Sequence, residues 1–434
     1  MNLKGKKVTV VGLAKSGFAA AKLLKRQGAK ARVTEVSAKD SVACLANQLT
    51  ALGIDVELGM HTEEFLKGTE LIVTSPGVPD TALPIKWAGK KNIKVIDETE
   101  LAYRFCKAPV IAITGTNGKS TTTSLIGHIL AKSGKRAVVC GNIGVPFSGE
   151  VDKLDKDSAC VLEISSFQLS RIDKFRPKIA VLLNVTGNHL DRHVDFNEYF
   201  NAKMNIFKNQ APGDWAVLNY NDKNILKNAN RIKAKKVFFN KDKFNICDVD
   251  DLQIKGAHNI DNALAAVSVA RVFGVPDERI ACAIKTFKGL EHRCEYIATI
   301  NGVKFINDSK STTVDAAIKA LSCCDGPVVM IAGGRDKNSD FSILRRYVRD
   351  KVRLLILIGE AREKIKNALS GVIDIRESVS LEDAARIAFD SAKKGDSVLL
   401  SPMCTSFDSF KDFEHRGREF KAIVKTLQPC VMQG

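Results

Sequence analysis

Short apolar runs, each stopped by Gly, Ser or Pro and separated by stretches with helical spacing, recur along the whole chain. Near the N-terminus Val8-Thr9-Val10-Val11 runs into Gly12, Ala19 to Leu24 begins a helix, and Ala31-Arg32-Val33-Thr34 gives a second strand. Leu71-Ile72-Val73-Thr74 then ends at Ser75-Pro76-Gly77. Runs of this length without alternation suit strands buried on both faces, and their alternation with helices predicts a doubly wound α/β sheet. A second segment starts with Pro109-Val110-Ile111-Ala112-Ile113 and continues through strands at 137–140, 159–163 and 179–183. Residues 215–251 read as a meander of short strands around a polar run, followed by an alanine-rich helix over 259–272. A third segment carries strands at 303–306, 327–332, 354–358 and 397–400, each ending in a polar or Gly/Pro turn where ligands of open α/β sheets bind.

The second segment holds the most specific chemistry. Gly115-Thr116-Asn117-Gly118-Lys119-Ser120-Thr121 follows a strand and precedes a helix with Leu125, Ile126, Ile129 and Leu130 on one face. Strand, glycine turn and helix N-terminus make a phosphate cradle. Backbone N–H groups approach the oxygens, Lys119 supplies charge, and Ser120 can ligand magnesium. The spacing departs from the common P-loop, because Ile113 stands where that pattern has its first glycine. ATP is the expected ligand. The fold class follows as three-domain α/β: a Rossmann-like domain over 1–99, a central P-loop ATPase-type parallel-sheet domain over 100–289, and a Rossmann-like C-terminal domain over 290–434. The first domain's turn, Gly12-x-Ala14-x-x-Gly17 with Glu35 after the second strand, supports that architecture more than it supports NAD.

At 434 residues and 45% apolar content the chain can bury several cores. Its eleven cysteines are scattered without a C-x-x-C pair, which fits reduced thiols and a cytoplasmic location better than a disulfide framework. No apolar run is long enough to span a membrane. The net charge of +17 would suit a nucleic acid, yet the lysines are dispersed and aromatics make up only 6%. A solvated basic surface is the plainer reading, and a monomer is expected.

Further polar groups sit at strand ends. Glu163 closes Cys160-Val161-Leu162 and could hold magnesium or merely cap a turn. His189-Leu190-Asp191-Arg192-His193 could bind a metal or be structural. Lys203, in a helical stretch, reads alone as an exposed lysine. His292-Arg293 and Asn307-Asp308-Ser309-Lys310-Ser311-Thr312 could meet phosphate or ribose, and the polar loop from Ser401 to Gly417 could hold a carboxylate.

Taken in order, these motifs resemble the Mur ligases, the ATP-dependent amide ligases of bacterial peptidoglycan precursor synthesis. Within that family the stretch from Leu400 to Gly417 is similar to the member that adds D-glutamate to UDP-N-acetylmuramoyl-L-alanine. The resemblance implies roles residue by residue. Gly115, Thr116, Asn117, Gly118, Lys119, Ser120 and Thr121 would hold ATP, with Asn259 and Asn262 near adenine and Arg293 and Asp308 near phosphate and ribose. Two magnesium sites would use Ser120 and Glu163, and His189 with a carbamylated Lys203; Lys119, His189 and Lys203 would be catalytic. Ser16, Glu35, Val36, Ser37 and Gly77 match the uracil-nucleotide end, and Asn142 a contact to the muramoyl group. Lys310, Thr312, Lys337, Ser406 and Phe413 match the D-glutamate pocket. Each domain would supply one ligand, and the reaction would pass through an acyl phosphate. A sibling Mur ligase, folylpolyglutamate synthetase, and an NAD- or nucleic-acid-binding protein remain the alternatives; the first domain and the Ser406-Phe407-Asp408 tail argue against the second.

Overall fold

The computed structural model describes residues 1–186, 195–240, 245–254, 256–324, 326–336 and 338–427. The chain forms two compact units, Met1–Leu252 with Ala257–Phe287, and Gln253–Gly256 with the chain from Lys288 onward.

The first unit contains two sheets. Strands β1 (Lys7–Val11), β2 (Lys30–Glu35), β3 (Asp55–Leu58), β4 (Leu71–Thr74) and β5 (Lys94–Asp97) are all parallel in the order β3-β2-β1-β4-β5. The order reverses at β1, so the turns after β1 and β4 flank a crevice of the kind in which such sheets bind ligands. Gly17 is required there: a Cβ at this position would lie 1.8 Å from the Gly12 carbonyl oxygen. The helix after β1 begins at Lys15, not at Ala19. Its first turn, Lys15-Ser16-Gly17-Phe18, has a single apolar side chain, which hides it from a search for apolar spacing.

The second sheet comprises β6 (Val110–Thr114), β7 (Arg136–Gly141), β8 (Ser158–Glu163), β9 (Ile179–Leu182), β10 (Trp215–Asn219) and β11 (Lys235–Phe239). Its order is β11-β10-β9-β6-β8-β7, parallel throughout, with β6 fully buried at the centre. The expected meander over 215–251 is therefore corrected: β10 and β11 extend the parallel sheet, joined through the helix Lys223–Asn228. Exposed Lys235 and Lys236 on the edge strand break the apolar pattern by which a buried strand is recognised.

One hydrophobic cluster runs through both sheets, from Val10 and Leu24 through Leu101 and Ala102 to Cys160 and Leu162. The helix Glu98–Tyr103 and its N-cap Asp97 carry polar groups into this region. The Glu100 carboxylate accepts the N–H groups of Asp173, Lys174 and Phe175 and pairs with Arg104 at 2.7 Å. Glu98 is less well provided. Its Oε1 accepts the Ser148 N–H at 2.6 Å, whereas its buried Oε2 has no partner. Burial, and then the charge of Asp97, pushes the Glu98 carboxyl up to about 7; burial also pushes Asp97 up to about 6. A raised carboxyl stabilises the fold below its unfolded value near 4.5, and that stability is lost as pH rises through 7. Glu98→Gln, neutral at every pH, should therefore raise stability at pH 8 by on the order of 1–3 kcal/mol. Chemical denaturation at pH 8 and pH 4.5 checks this, since the gain should vanish at the lower pH.

The second unit has strands β12 (Glu295–Ile300), β13 (Val303–Asn307), β14 (Val328–Gly333), β15 (Val352–Ile358), β16 (Asp374–Glu377) and β17 (Ser397–Met403), in the order β12-β13-β17-β14-β15-β16. All neighbours are parallel except β12 and β13. These two form a hairpin whose turn, Asn301-Gly302, has positive φ at both residues, as a tight hairpin turn demands. The Rossmann-like expectation thus holds with an antiparallel edge added. Among the described residues no helix is long and apolar enough to cross a membrane.

Candidate active site

The glycine turn at 115–118 lies at the carboxyl end of β6, at the point where the sheet order reverses. Gly118 has φ 83° and opens the helix Lys119–Lys132; a Cβ there would meet Asn262 Oδ1 at 2.1 Å. The turn is held from outside by the segment after β9. Thr116 N–H donates to the Asn184 carbonyl at 2.9 Å and Asn117 N–H to Asn184 Oδ1 at 2.9 Å. Thr116 Oγ1 accepts from Thr186 N–H at 3.0 Å and from the Tyr199 hydroxyl at 3.1 Å. The roles of Asn184, Thr186 and Tyr199 were not read from sequence; polar Asn and Thr directly after an apolar strand of the same sheet were the available signal. Fixing the loop this way leaves the backbone N–H groups of the helix start preorganised for an anion.

Two amines converge on the same loop. Lys119 Nζ donates to the carbonyls of Gly115 at 2.8 Å and Thr116 at 3.0 Å. Lys203 Nζ donates to the Gly115 carbonyl at 3.0 Å and lies 4.5 Å from the centre of the Tyr199 ring. The expectation of an exposed lysine is overturned, because Lys203 is only 2% exposed. The helix Phe196–Met204 turns Tyr199, Phe200 and Lys203 inward together, and the loop carbonyl gives the amine a partner. Burial, and then the charge of Lys119, brings the Lys203 amine down to about 6. At neutral pH it is an uncharged nucleophile beside a cation.

Glu163 ends β8 opposite Ile113 on β6 and Gly141 on β7. It is 2% exposed; its Oε1 accepts from Asn142 Nδ2 at 2.9 Å, while the buried Oε2 has no partner. A desolvated carboxylate oxygen without a donor is costly unless a cation completes it, so this position fits magnesium. Ser120 and Thr121 lie buried in the first turn of the adjoining helix. Asn262 accepts from Thr122 Oγ1 at 3.2 Å and donates to Asn259 Oδ1 at 3.0 Å, which brings both asparagines to this helix.

At the crevice of the first sheet Glu35 is fully engaged. Its oxygens accept the N–H groups of Leu13 and Ser37, each at 2.7 Å, so it shapes the turn after β1. Ser16 is half-buried in the first turn of the following helix, Ser37 is half-buried, and Val36 and Gly77 are exposed. His189 and Lys337 lie outside the described residues.

The second unit gathers its own polar group at the ends of β13 and β17. Asp308 accepts the Cys294 N–H at 3.1 Å and the Ser401 hydroxyl at 3.2 Å, and burial pushes its carboxyl up to about 7 despite the nearby Arg293. Lys310 Nζ lies 5.5 Å from the centre of the Phe413 ring; Ser406 is buried and Thr312 half-buried. A residue not foreseen holds this region. Arg416, 1% exposed, donates to the Ser309 carbonyl at 2.8 Å and hydroxyl at 3.0 Å and to the Cys404 carbonyl at 3.3 Å. Arg416→Met would leave these acceptors buried without donors and should cost about 3 kcal/mol, read as a lower denaturation midpoint.

A nucleotide-phosphate cradle at a sheet switch point, in a chain that carries two further α/β sheets, is the layout of the Mur ligases. Residues 113–254 match the Mur ligase middle domain, 292–404 the Mur ligase glutamate ligase domain, and 6–97 the MurD-like N-terminal domain of Mur ligases. The chain belongs to the Mur ligase family and is an ATP-dependent ligase. It is 44% identical to the UDP-N-acetylmuramoylalanine–D-glutamate ligase of Thermoanaerobacter sp. (strain X514), covering 99% of this chain and 100% of that one. It is 43% identical to the ligase of the same name from Koribacter versatilis (strain Ellin345), over 98% and 99% of the two chains. Among solved structures its fold is similar to the UDP-N-acetylmuramate-alanine ligase MurC of Thermotoga maritima, at TM-score 0.60 and 17% identity over 97% and 99% of the chains. The MurF ligase of Thermotoga maritima in complex with ADP gives TM-score 0.60 and 17% identity over 98% and 96%.

Proposed function

We propose that this chain joins the amine of D-glutamate to the alanine carboxyl of UDP-N-acetylmuramoyl-L-alanine, with conversion of ATP to ADP and phosphate. The full-length identity to ligases named for that pair of substrates carries the reading. Residues 1–99 take the uracil-nucleotide end through Ser16, Val36, Ser37 and Gly77, with Glu35 setting the turn. Residues 100–289 hold ATP, and residues 290–434 hold D-glutamate through Lys310, Thr312, Lys337, Ser406 and Phe413.

The carboxylate of the acceptor attacks the γ-phosphorus and ADP leaves; the amine then attacks the acyl carbon and phosphate leaves. Two anions must meet in the first step, so the protein's task is to offset charge. Lys119 and the N-terminus of the helix Lys119–Lys132 do so at the phosphates. Glu163 and Ser120 would hold one magnesium, and His189 with a carbamylated Lys203 a second; bound magnesium supplies further positive charge to the phosphate oxygens. Asn142 holds Glu163 in place and reaches the muramoyl end, while Arg293 and Asp308 serve the phosphates and ribose. ADP release with a panel of amino acids and UDP-linked acceptors tests the reading. D-glutamate with UDP-N-acetylmuramoyl-L-alanine should be the productive pair; turnover with L-alanine, a diamino acid or a dipeptide instead would assign the chain to a sibling.

A further inference from the structure

One side chain joins the wall of the first crevice to the segment that follows Glu163. Ser75 Oγ donates to the Gly12 carbonyl at 3.0 Å and Val78 N–H donates to the Ser75 carbonyl at 3.1 Å, so residues 75–78 wall the crevice at the end of β1. Arg171 grips that wall. Its Nη2 donates to the Val78 carbonyl at 3.2 Å and to the exposed Asp80 carboxylate, and its side chain is only 17% exposed. Arg171 is the C-cap of the helix Ser166–Ser170, which starts three residues after Glu163. A capping box fixes the start of that helix: Ser165 N–H donates to Gln168 Oε1 at 2.9 Å and Gln168 N–H to Ser165 Oγ at 3.4 Å. The Leu169 carbonyl accepts from Nδ2 of Asn205, the C-cap of the helix that carries Lys203, at 3.2 Å. The helix Ser166–Ser170 is thus a short strut between the nucleotide crevice and the residues beside the phosphate loop.

We propose that Arg171 is a positioning residue for the UDP-linked acceptor; this rests on the reading of residues 1–99 as the seat of the uracil-nucleotide end. The acceptor is held at one end in the crevice and reacts at the other, beside Glu163 and Lys119. Binding energy from the remote end speeds the reaction only when both ends are held in register. By fixing the Val78 carbonyl to the strut after Glu163, Arg171 sets that register without touching the substrate. Other bonds hold the same seam together. Gln168 Nε2 donates to Thr99 Oγ1 at 2.9 Å, Arg104 pairs with Asp173 at 2.6 Å, and Glu100 accepts the N–H groups of Asp173, Lys174 and Phe175. These contacts end on the helix Glu98–Tyr103 and its C-cap, not on the crevice turn. Loss of Arg171 therefore frees the turn and leaves the fold intact.

Steady-state kinetics of Arg171→Met in the full chain, with each substrate varied in turn and UDP alone as an inhibitor that probes the crevice, tests this. With UDP-N-acetylmuramoyl-L-alanine kcat should fall about tenfold, while the KM for ATP and the inhibition constant of UDP stay within about twofold of the parent's. The denaturation midpoint should match the parent's. Arg171→Lys, whose amine reaches the Val78 carbonyl, should recover part of the rate. Unchanged kcat in Arg171→Met would overturn the proposal. A rise in the inhibition constant of UDP that accounts for the whole loss would make Arg171 part of the crevice itself. A lowered midpoint with weaker binding of all three substrates would make it a structural brace. Either result overturns the positioning role. The parent's turnover with D-glutamate and this acceptor is measured in the same series, so a wrong substrate reading shows in the parent and a wrong reading of Arg171 only in the variants.

Discussion

Lys119→Ala is expected to abolish the phosphate release that depends on both acceptor and D-glutamate, a loss of at least about a hundredfold. The side chain now spans the loop, donating to the Gly115 and Thr116 carbonyls. With a triphosphate in the cradle its charge is needed at the oxygens that become more negative as the acceptor carboxylate approaches. Among the described residues the other amine on the loop, Lys203, does not replace it, because burial brings its pKa down to about 6. The loop itself should survive the change, because Asn184, Thr186 and Tyr199 fix it independently of Lys119. Titration with a non-hydrolysable ATP analogue should then show weakened binding, and circular dichroism should match the parent. Turnover at the parent's rate would remove residues 115–121 from the reaction.

The difference between what was legible in the chain and what was not follows one physical line. Buried strands and the glycine turn leave local signatures, because a strand covered on both faces must be apolar and a phosphate cradle must have glycine. Hence β4, β6, β8 and β9 and the 115–121 turn are visible in sequence almost to the residue. Edge strands have one polar side, so β11, with its neighbour β10, read as short strands of a meander and not as a continuation of the parallel sheet. The same rule governs the site. Glycines and Lys119 are adjacent along the chain, whereas the pairing of Glu163 with Asn142 and the clamp from Asn184 and Thr186 depend on strand order. Strand order is a tertiary fact. Arg416 shows the limit most clearly: a charged residue in an amphipathic helix reads as solvent-facing, yet here it is sunk among carbonyls from two other segments.

Lys203 raises the largest claim that burial alone makes on the chemistry. An amine held at 2% exposure with its pKa near 6 is neutral at pH 7 and can add carbon dioxide, losing a proton and becoming a carbamate anion. Burial keeps the amine neutral and so able to react, but it disfavours the carbamate's charge as well, so a carbamate beside the phosphate loop would call for a second cation to offset it. Lys203→Ala should therefore be nearly inactive, and formate or acetate, small enough to enter the vacated volume, should restore part of the rate by supplying the missing carboxylate. Labelled bicarbonate should give a carbamate resonance in the parent and none in the variant. A role limited to bonding the Gly115 carbonyl makes a different forecast: Lys203→Gln would then keep the rate, and carboxylic acids would do nothing for Lys203→Ala. Near-normal turnover of the alanine variant would leave Glu163 as the anionic group of this cradle for which an unpartnered buried oxygen argues a metal.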